Sequence, residues 1–315
     1  MRGTGSGRAR SLAAGVVGLA IAFGTAACGD DSSGPGATGT GTTATGSSST
    51  PGATTPSGTG SSTGLPTTQA SGQLSAMPVY WIAESRKSFA LYREFRTVPD
   101  TGGAVASAVA AVTRMKPLDP DYMTPWRPAT SVKVTQRGEA LTVDLSKDAF
   151  ANTNLGSELA SRALQQLVYT ATAAAQRAGK PASTVTITVD GAAYDAWGVI
   201  RVGEPMRRAP MIEVQAHVWV TSPQEGATRP AGTVRFTGYG TSFEANFTWQ
   251  VRTPSGEVRA RGNAMGGTGT GGFGEFTFRA SLTPGTYVVE VSTDDPSGGT
   301  EGPGPATDTK TFVVR

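Results

Sequence analysis

The chain has few of the side chains that most often build reactive centres or cross-links. Its 315 residues contain a single cysteine, Cys28, and a single histidine, His217. A disulfide needs two thiols, and zinc sites and Ser-His-Asp triads combine several such side chains. We therefore predict folded domains that are held without disulfides, and a protein with no catalytic residues, no metal and no cofactor.

Long apolar runs are also absent. The longest mostly apolar stretch covers only residues 12–23, whereas a helix that spans a bilayer needs about 20 residues. Three arginines, Arg2, Arg8 and Arg10, precede this stretch, and the small residues 24–27 follow it. That order predicts a secretory signal peptide over residues 1–27.

Cys28 follows the small residues directly, and in this position it resembles the lipidated cysteine of bacterial lipoproteins. The resemblance implies that the thiol carries a diacylglycerol with fatty-acyl chains such as palmitate, and that cleavage leaves Cys28 as the first residue. Thr25 departs from the family pattern, which usually has leucine there. We expect a lipid anchor on the extracytoplasmic face of the bacterial cell membrane, with ordinary secretion and a free thiol as the alternative.

Positive and negative side chains are equal in number once the predicted signal is removed. The full chain has 27 Lys and Arg residues and 24 Asp and Glu residues, and three of the basic residues lie in the signal. The remainder then carries 24 of each. Recognition of nucleic-acid phosphates needs a basic excess or patch, so we expect no nucleic-acid partner.

Residues 28–75 are predicted to be a linker. From 29 to 73 they are almost entirely Gly, Ser, Thr, Pro and Ala, and the only charged residues are Asp30 and Asp31. Such a segment cannot bury enough apolar surface to offset the entropy lost on ordering, so we expect it to be disordered. It would tether the rest of the chain to the anchor.

Residues 76–203 predict an α+β domain. Strands are indicated at 78–83, 88–95, 132–135, 140–145 and 184–189, and helices at 103–115 and 157–178. The order ββαββαβ favours helices packed on a small mixed sheet. Arg86, Lys87, Arg93 and Arg96 give the first predicted hairpin a modest basic patch.

Residues 211–315 predict an all-β domain. Seven short strands separated by turn signals favour a β-sandwich, and the clearest alternation of apolar and polar residues runs over 211–220 and 243–252. Tyr287, in a Pro-Gly-Thr-Tyr turn, resembles the tyrosine corner of immunoglobulin-like folds. Val289 stands where antibody domains have a cysteine, and Trp249 is expected to fill the space between the sheets.

Several blocks in the first region resemble the GerMN domain of bacterial sporulation and germination proteins: residues 104–115, 140–146 with Phe150, 158–170 and 189–191. The second region resembles the immunoglobulin-like domain that commonly follows GerMN domains, with residues 243–245 and 284–287 as the best marks. The resemblance implies a compact α/β module of envelope and sporulation proteins, similar to the ring-building domains of secretion complexes. It carries no catalytic motif.

The loop over residues 116–128 contains the most suggestive polar cluster. Asp119, Asp121, Tyr122 and Trp126 lie close together in sequence. Paired carboxylates can bind Ca²⁺ or act as acid and base, and neighbouring aromatic rings can stack on sugars. We treat these four as candidate ligand-binding residues, with an ordinary solvated loop as the alternative.

Two functions follow from these features. The first is a non-enzymatic, lipid-anchored envelope protein that presents interaction modules to wall polymers or protein partners, in sporulation, germination or envelope assembly. The alternative is a protein that processes or binds wall polysaccharide through the carboxylates and aromatics of the 116–128 loop.

Overall fold

The computed structural model describes residues 72–294 and 304–315. The predicted signal, Cys28 and nearly all of the predicted linker lie outside the described residues. Everything that is described belongs to one compact unit. Within residues 72–294 and 304–315, no helix combines the length and the apolar character needed to cross a membrane.

The first half of the described chain mixes strands with two long helices. Its elements are β1 (Gln73–Ser85), β2 (Ser88–Pro99), α1 (Ala104–Arg114), β3 (Val132–Arg137), β4 (Ala140–Leu145), α2 (Ser157–Arg177), β5 (Thr184–Val189), β6 (Tyr194–Ala196), β7 (Ile200–Val202) and β8 (Pro205–Met206), with a 3₁₀ turn at Lys147–Phe150.

The second half is almost entirely β-structure. Its elements are a short helical turn α3 (Met211–Val214), then β9 (Val218–Ser222), β10 (Ala227–Arg229), β11 (Gly232–Gly240), β12 (Asn246–Arg252), β13 (Val258–Met265), β14 (Gly274–Leu282), β15 (Gly285–Thr293) and β16 (Thr307–Val314), with a 3₁₀ turn at Phe243–Ala245.

Helix α2 illustrates how the sequence produces these elements. Small and aliphatic residues recur at helical spacing, and those on the inner face, such as Leu167 and Ala171, are fully buried. Gly179 ends the helix in the left-handed region at φ +74°, and the amide of Lys180 donates to the carbonyl of Ala175 at 3.0 Å. Glycine reaches this conformation without a Cβ penalty, which makes it a common helix stop.

The strands of the first half form two separate main sheets. Strands β1 and β2 pair as an antiparallel hairpin, and β3-β4-β5-β8 form a mixed sheet in which only β4 and β5 are parallel. Helices α1 and α2 contact the hairpin, each other and the mixed sheet. The periodicity predicts strands but not their partners, and the separate hairpin therefore differs from the single small sheet that we expected.

The second half is a sandwich of two sheets. Strands β10-β16-β15-β12-β13 form one sheet, and β14-β11-β9 form the other. Phe236, Phe247, Val289 and Phe312 lie fully buried between them. The half-buried Trp249 stacks on Phe278 of the opposite sheet, with ring centroids 4.3 Å apart.

The predicted tyrosine corner is present. The hydroxyl of Tyr287 donates to the carbonyl of Thr283, four residues upstream, at 2.9 Å. This bond ties the turn before β15 to the strand itself. The side chain of Val289 is fully buried at the position where antibody domains have a cysteine.

Two predicted strands are wrong in their first residues. Residues 211–214 form the helical turn α3, in which the amide of Gln215 donates to the carbonyl of Met211, and the strand begins only at Val218. Residues 243–245 form a turn in which Glu244 and Ala245 have φ values of 54° and 58°, so β12 begins at Asn246. Alternation of apolar and polar residues reports which side chains suit a strand, but it does not report positive φ.

Candidate functional site

Two of the predicted ligand-binding residues lie in a buried contact between the two halves of the chain. The carboxylate of Asp119 is 2% exposed, and its Oδ2 atom lies 2.6 Å from Nζ of Lys310 on β16. The Lys310 side chain is 3% exposed. Asp119 therefore holds a buried ammonium group from the sandwich and is not free to face a ligand in solvent.

A second carboxylate and a phenol complete this group. Asp308 accepts hydrogen bonds from Nζ of Lys310 at 2.8 Å, from the hydroxyl of Tyr122 at 2.8 Å and from the amide of Val220 at 2.7 Å. Nζ of Lys310 also lies 2.6 Å from the hydroxyl oxygen of Tyr122. We call Asp119, Tyr122, Asp308 and Lys310 the Lys310 cluster.

The backbone around each member explains how the cluster is assembled. The carboxylate of Glu94 on β2 accepts the amides of Leu118 and Asp119 at 2.9 and 3.0 Å, and it also pairs with Arg96 at 2.8 Å. These bonds fix the loop that carries Asp119. Asp308 and Lys310 are two residues apart on β16, so both side chains point to the same face of their strand.

Burial and opposite charge set the protonation states of the cluster. Burial alone would lower the pKa of Lys310, but the carboxylates of Asp308 and Asp119 outweigh that effect and raise it. Burial raises the pKa of Asp308, against the opposing effect of Lys310. Burial and the same two carboxylates hold the pKa of Tyr122 well above its usual range. The phenol therefore stays protonated and donates to Asp308.

The side chains of the other two predicted ligand-binding residues do not join the Lys310 cluster. Asp121 is exposed, and its amide donates to Oδ1 of Asp119 at 2.9 Å. Trp126 is buried in an aromatic cluster, with its ring centroid 5.0 Å from that of Phe150 and 4.9 Å from that of Trp197. The four side chains do not meet in one open cleft, so the geometry does not support a sugar or Ca²⁺ site there.

No alternative metal site is evident in the part of the chain that the structure describes. Among residues 72–294 and 304–315, no group of three or more His, Cys, Asp or Glu side chains is placed to hold a metal ion.

A cation–aromatic contact extends the interface between the two halves beyond the Lys310 cluster. We call this interface the joint. The guanidinium of Arg93 on β2 lies 5.0 Å from the ring centroid of Phe95, 5.9 Å from that of Trp219 and 5.7 Å from that of Tyr239. Backbone hydrogen bonds run alongside, since the amide of Ala216 donates to the carbonyl of Leu91 at 3.0 Å. Arg93, predicted as part of a basic surface patch, therefore belongs to the contact between the two halves.

The periodicity of β16 contains a signal for the Lys310 cluster. Along β16, Asp308 and Lys310 occupy the same alternate positions as Phe312 and Val314, and all four side chains are buried. Charged residues are almost never fully buried unless they are paired. Two opposite charges in the inward period of a strand therefore indicate a buried ion pair, although not its third partner.

The single histidine lies at a cleft between the two halves. Its Nδ1 atom accepts a hydrogen bond from the guanidinium of Arg86, in the β1–β2 turn, at 2.7 Å. The cleft beside it has a volume of about 200 Å³, and its lining includes Phe89, Ile212 and Glu213. Burial, and then the charge of Arg86, lowers the pKa of His217.

One end of the sandwich exposes two large apolar side chains. Phe243 is 59% exposed and Met265 is 65% exposed. Both lie at the same end of the β12–β13 pair, where Met265 is the register partner of Asn246 and the amide of Gly266 donates to the carbonyl of Ala245. We call this the apolar end. The positive φ angles of Glu244 and Ala245 hold the turn that carries Phe243 outward.

These features define a protein of two joined domains, an α+β domain and a β-sandwich. Residues 78–195 match the Germane family, described as "Sporulation and spore germination". Residues 217–300 match the Gmad2 family, described as "Immunoglobulin-like domain of bacterial spore germination". The resemblance predicted from the sequence is confirmed in both regions, and the Germane match precedes the Gmad2 match along the chain.

Comparison with other proteins adds little beyond these families. No curated protein matches the chain. The fibronectin(III)-like modules of Clostridium thermocellum CbhA share 14% identity over 31% of this chain and 95% of theirs, with a TM-score of 0.22. CopC from Methylosinus trichosporium OB3b shares 21% identity over 31% of this chain and 93% of its own, with a TM-score of 0.23. TM-scores this low support no argument about fold or function.

The Lys310 cluster predicts a large effect of removing its only cation. We expect Lys310→Met to lower the free energy of unfolding by about 3–5 kcal/mol, because two carboxylates would remain buried without a counter-charge. Arg201→Met is the control, since the Arg201–Asp195 pair is mostly exposed and should contribute less than about 1 kcal/mol. Denaturant unfolding of both variants measures the difference. Equal effects would contradict a stabilising role for the cluster.

His217 predicts a pH dependence of stability, and it is the only histidine in the chain. Its pKa in the folded protein lies below the ordinary 6.5, so the unfolded chain binds more protons and stability falls as pH drops below that value. We expect His217→Gln to remove this loss between about pH 7 and 5. Arg86→Met should only reduce it. Identical pH profiles for wild type and His217→Gln in thermal unfolding would contradict the assignment.

Proposed function

We propose that the chain is a lipid-anchored, non-enzymatic protein of the bacterial cell envelope that presents its two domains as one body to a partner in sporulation or germination. Cys28 is the proposed anchor, and the residues up to 75 are the proposed tether. The single observation that carries the proposal is the buried contact between two regions that match families whose descriptions both name spore germination.

The joint supports a binding role more than a catalytic one. Asp119 and Tyr122, the polar residues nearest to an active-site pattern, are used in contacts that hold the sandwich to the α+β domain. Their burial removes them from a substrate in solvent. Neither family description names an enzymatic activity. The wall-polysaccharide alternative therefore has no specific observation in its favour.

We also propose that the first domain is similar to the ring-building domains of secretion complexes. Its mixed sheet and two helices are compatible with a module that contacts other proteins edge to edge. The partner is then a protein of the envelope, or a wall polymer to which the protein is held.

The apolar end is the surface that we assign to a protein partner. Monomeric proteins usually keep large apolar side chains covered, and Phe243 and Met265 are the two most exposed large apolar residues among those described. The turn beneath Phe243 has two consecutive non-glycine residues with positive φ, each of which costs free energy, and residues of this kind cluster at functional sites. A protein surface with a complementary apolar pocket would cover both side chains.

Replacement of the proposed anchor residue tests the localisation. We expect Cys28→Ala to move the full chain from the membrane fraction to the soluble extracytoplasmic fraction, because the lipid is attached through the thiol. Ser32→Ala in the same segment is the control and should stay with the membrane. Immunoblots of fractionated cells measure the distribution, and membrane retention of Cys28→Ala would contradict a lipid anchor.

A photo-reactive phenylalanine analogue at position 243 tests the partner surface. We expect irradiation of living cells to give a discrete protein adduct, because the partner should cover the apolar end. The matched control carries the same analogue at position 258, where Val258 is also exposed but lies at the opposite end of β13. Adducts of equal yield at both positions, no adduct at 243, or an adduct to glycan only would contradict a protein partner at this surface.

A further inference from the structure

We infer that the Lys310 cluster is the site of a self-catalysed covalent cross-link, an amide bond between Nζ of Lys310 and Cγ of Asp119 that joins the two domains. The proposal concerns the chain itself and does not depend on the partner or the lipid anchor. It rests on three observations: the apposition of amine and carboxyl groups, their exclusion from water, and a second carboxylate positioned to carry protons.

The first observation is the apposition of the two reacting groups. Nζ of Lys310 lies 2.6 Å from Oδ2 of Asp119, which places the carboxyl carbon only one bond further away. The backbone of each residue is fixed: the amide of Asp119 donates to the carboxylate of Glu94, and Lys310 lies within strand β16. Fixing two reactants in contact replaces a bimolecular step by a unimolecular one, which lowers the barrier to reaction.

The second observation is the exclusion of water. The side chains of Asp119, Asp308 and Lys310 are 2%, 4% and 3% exposed. Burial by itself disfavours the ammonium, but the carboxylates of Asp308 and Asp119 raise the pKa of Lys310, so the neutral amine and the carboxylic acid that the reaction requires must form by proton transfer within the cluster. Burial also keeps away the bulk water that would hydrolyse the product.

The third observation is the second carboxylate. Both oxygens of Asp308 lie within hydrogen-bond distance of Nζ of Lys310, at 2.9 and 2.8 Å, and the hydroxyl of Tyr122 donates to Oδ1. Burial raises the pKa of Asp308, so this carboxyl is suited to hold a proton temporarily. It can act as general base to the attacking amine and then as general acid to the leaving oxygen.

The atoms and charges of the step balance without any co-reactant. The Lys310 ammonium gives one proton to Oδ2 of Asp119, and the amine nitrogen attacks Cγ. Asp308 takes a second proton from the nitrogen and returns it to the leaving oxygen, which departs as water. The third proton remains on the amide nitrogen. One ammonium and two carboxylates become one amide and one carboxylate, so the net charge of the cluster is unchanged.

The cross-link would do for this chain what a disulfide does elsewhere. It would close the chain between positions 119 and 310 and restrict the unfolded state, which is one accepted source of disulfide stability. The sequence has only Cys28 and cannot form an intramolecular disulfide. The bond would also make the joint between the domains permanent.

Peptide mass spectrometry of the full chain, isolated from its cells and digested with trypsin after denaturation, tests the inference. Acylation of Lys310 blocks cleavage after it, so we expect residues 280–315 as one piece, joined to residues 115–133 with a combined mass lower by one water molecule. Fragmentation should assign the junction to Asp119 and Lys310. Complete recovery of residues 280–310 as a separate peptide, after prolonged incubation of the folded protein at neutral pH, would overturn the proposal.

Matched variants separate the reaction from folding. Lys310→Arg keeps the buried cation but lacks the primary amine, so it should give only separate peptides. Asp308→Asn should slow the formation of the joined peptide by at least tenfold, because it removes the proton carrier while keeping a side chain of the same size. A joined peptide that forms at the wild-type rate in Asp308→Asn would contradict the role given to Asp308.

Discussion

The buried contact between Lys310 and the carboxylates of Asp119 and Asp308 is the constraint on which the arrangement of the two domains depends. An ammonium group that is removed from water must be compensated closely, and here the compensation comes from both domains. The phenol of Tyr122 and the amide of Val220 satisfy the remaining acceptor positions of Asp308. A slip of the sandwich against the α+β domain would leave buried charges unpaired, which is why the joint specifies one arrangement.

Much of the fold within each domain could be predicted from local patterns. Helix α2 and strand β5 follow from the spacing of Leu167 and its neighbours and from the alternation of Val185, Ile187 and Val189, because one face of each is buried. The corner at Tyr287 follows from a turn sequence whose hydroxyl bond is local. Patterns of this kind report burial along one element, and they succeed where a single face is covered.

The joint could not be predicted in the same way. Asp119 and Lys310 are 191 residues apart, and a lone sequence does not show which loop meets which strand. The prediction of Asp119, Asp121, Tyr122 and Trp126 as ligand-binding residues grouped them in one loop, whereas the structure leaves Asp121 exposed and buries Asp119, Tyr122 and Trp126 inside the protein. Their chemistry is used internally, in an ion cluster and an aromatic cluster, so the surface available to a partner lies elsewhere on the molecule.

The central claim is that the α+β domain and the sandwich move as one body. Spin labels on cysteines placed at the exposed positions Lys133 and Arg259, in a Cys28→Ala background, measure the distance between the domains directly by pulsed electron resonance. The account predicts a single narrow distance distribution for the otherwise wild-type chain and a broad one when Lys310→Met is added. A broad distribution in the presence of Lys310 would contradict it.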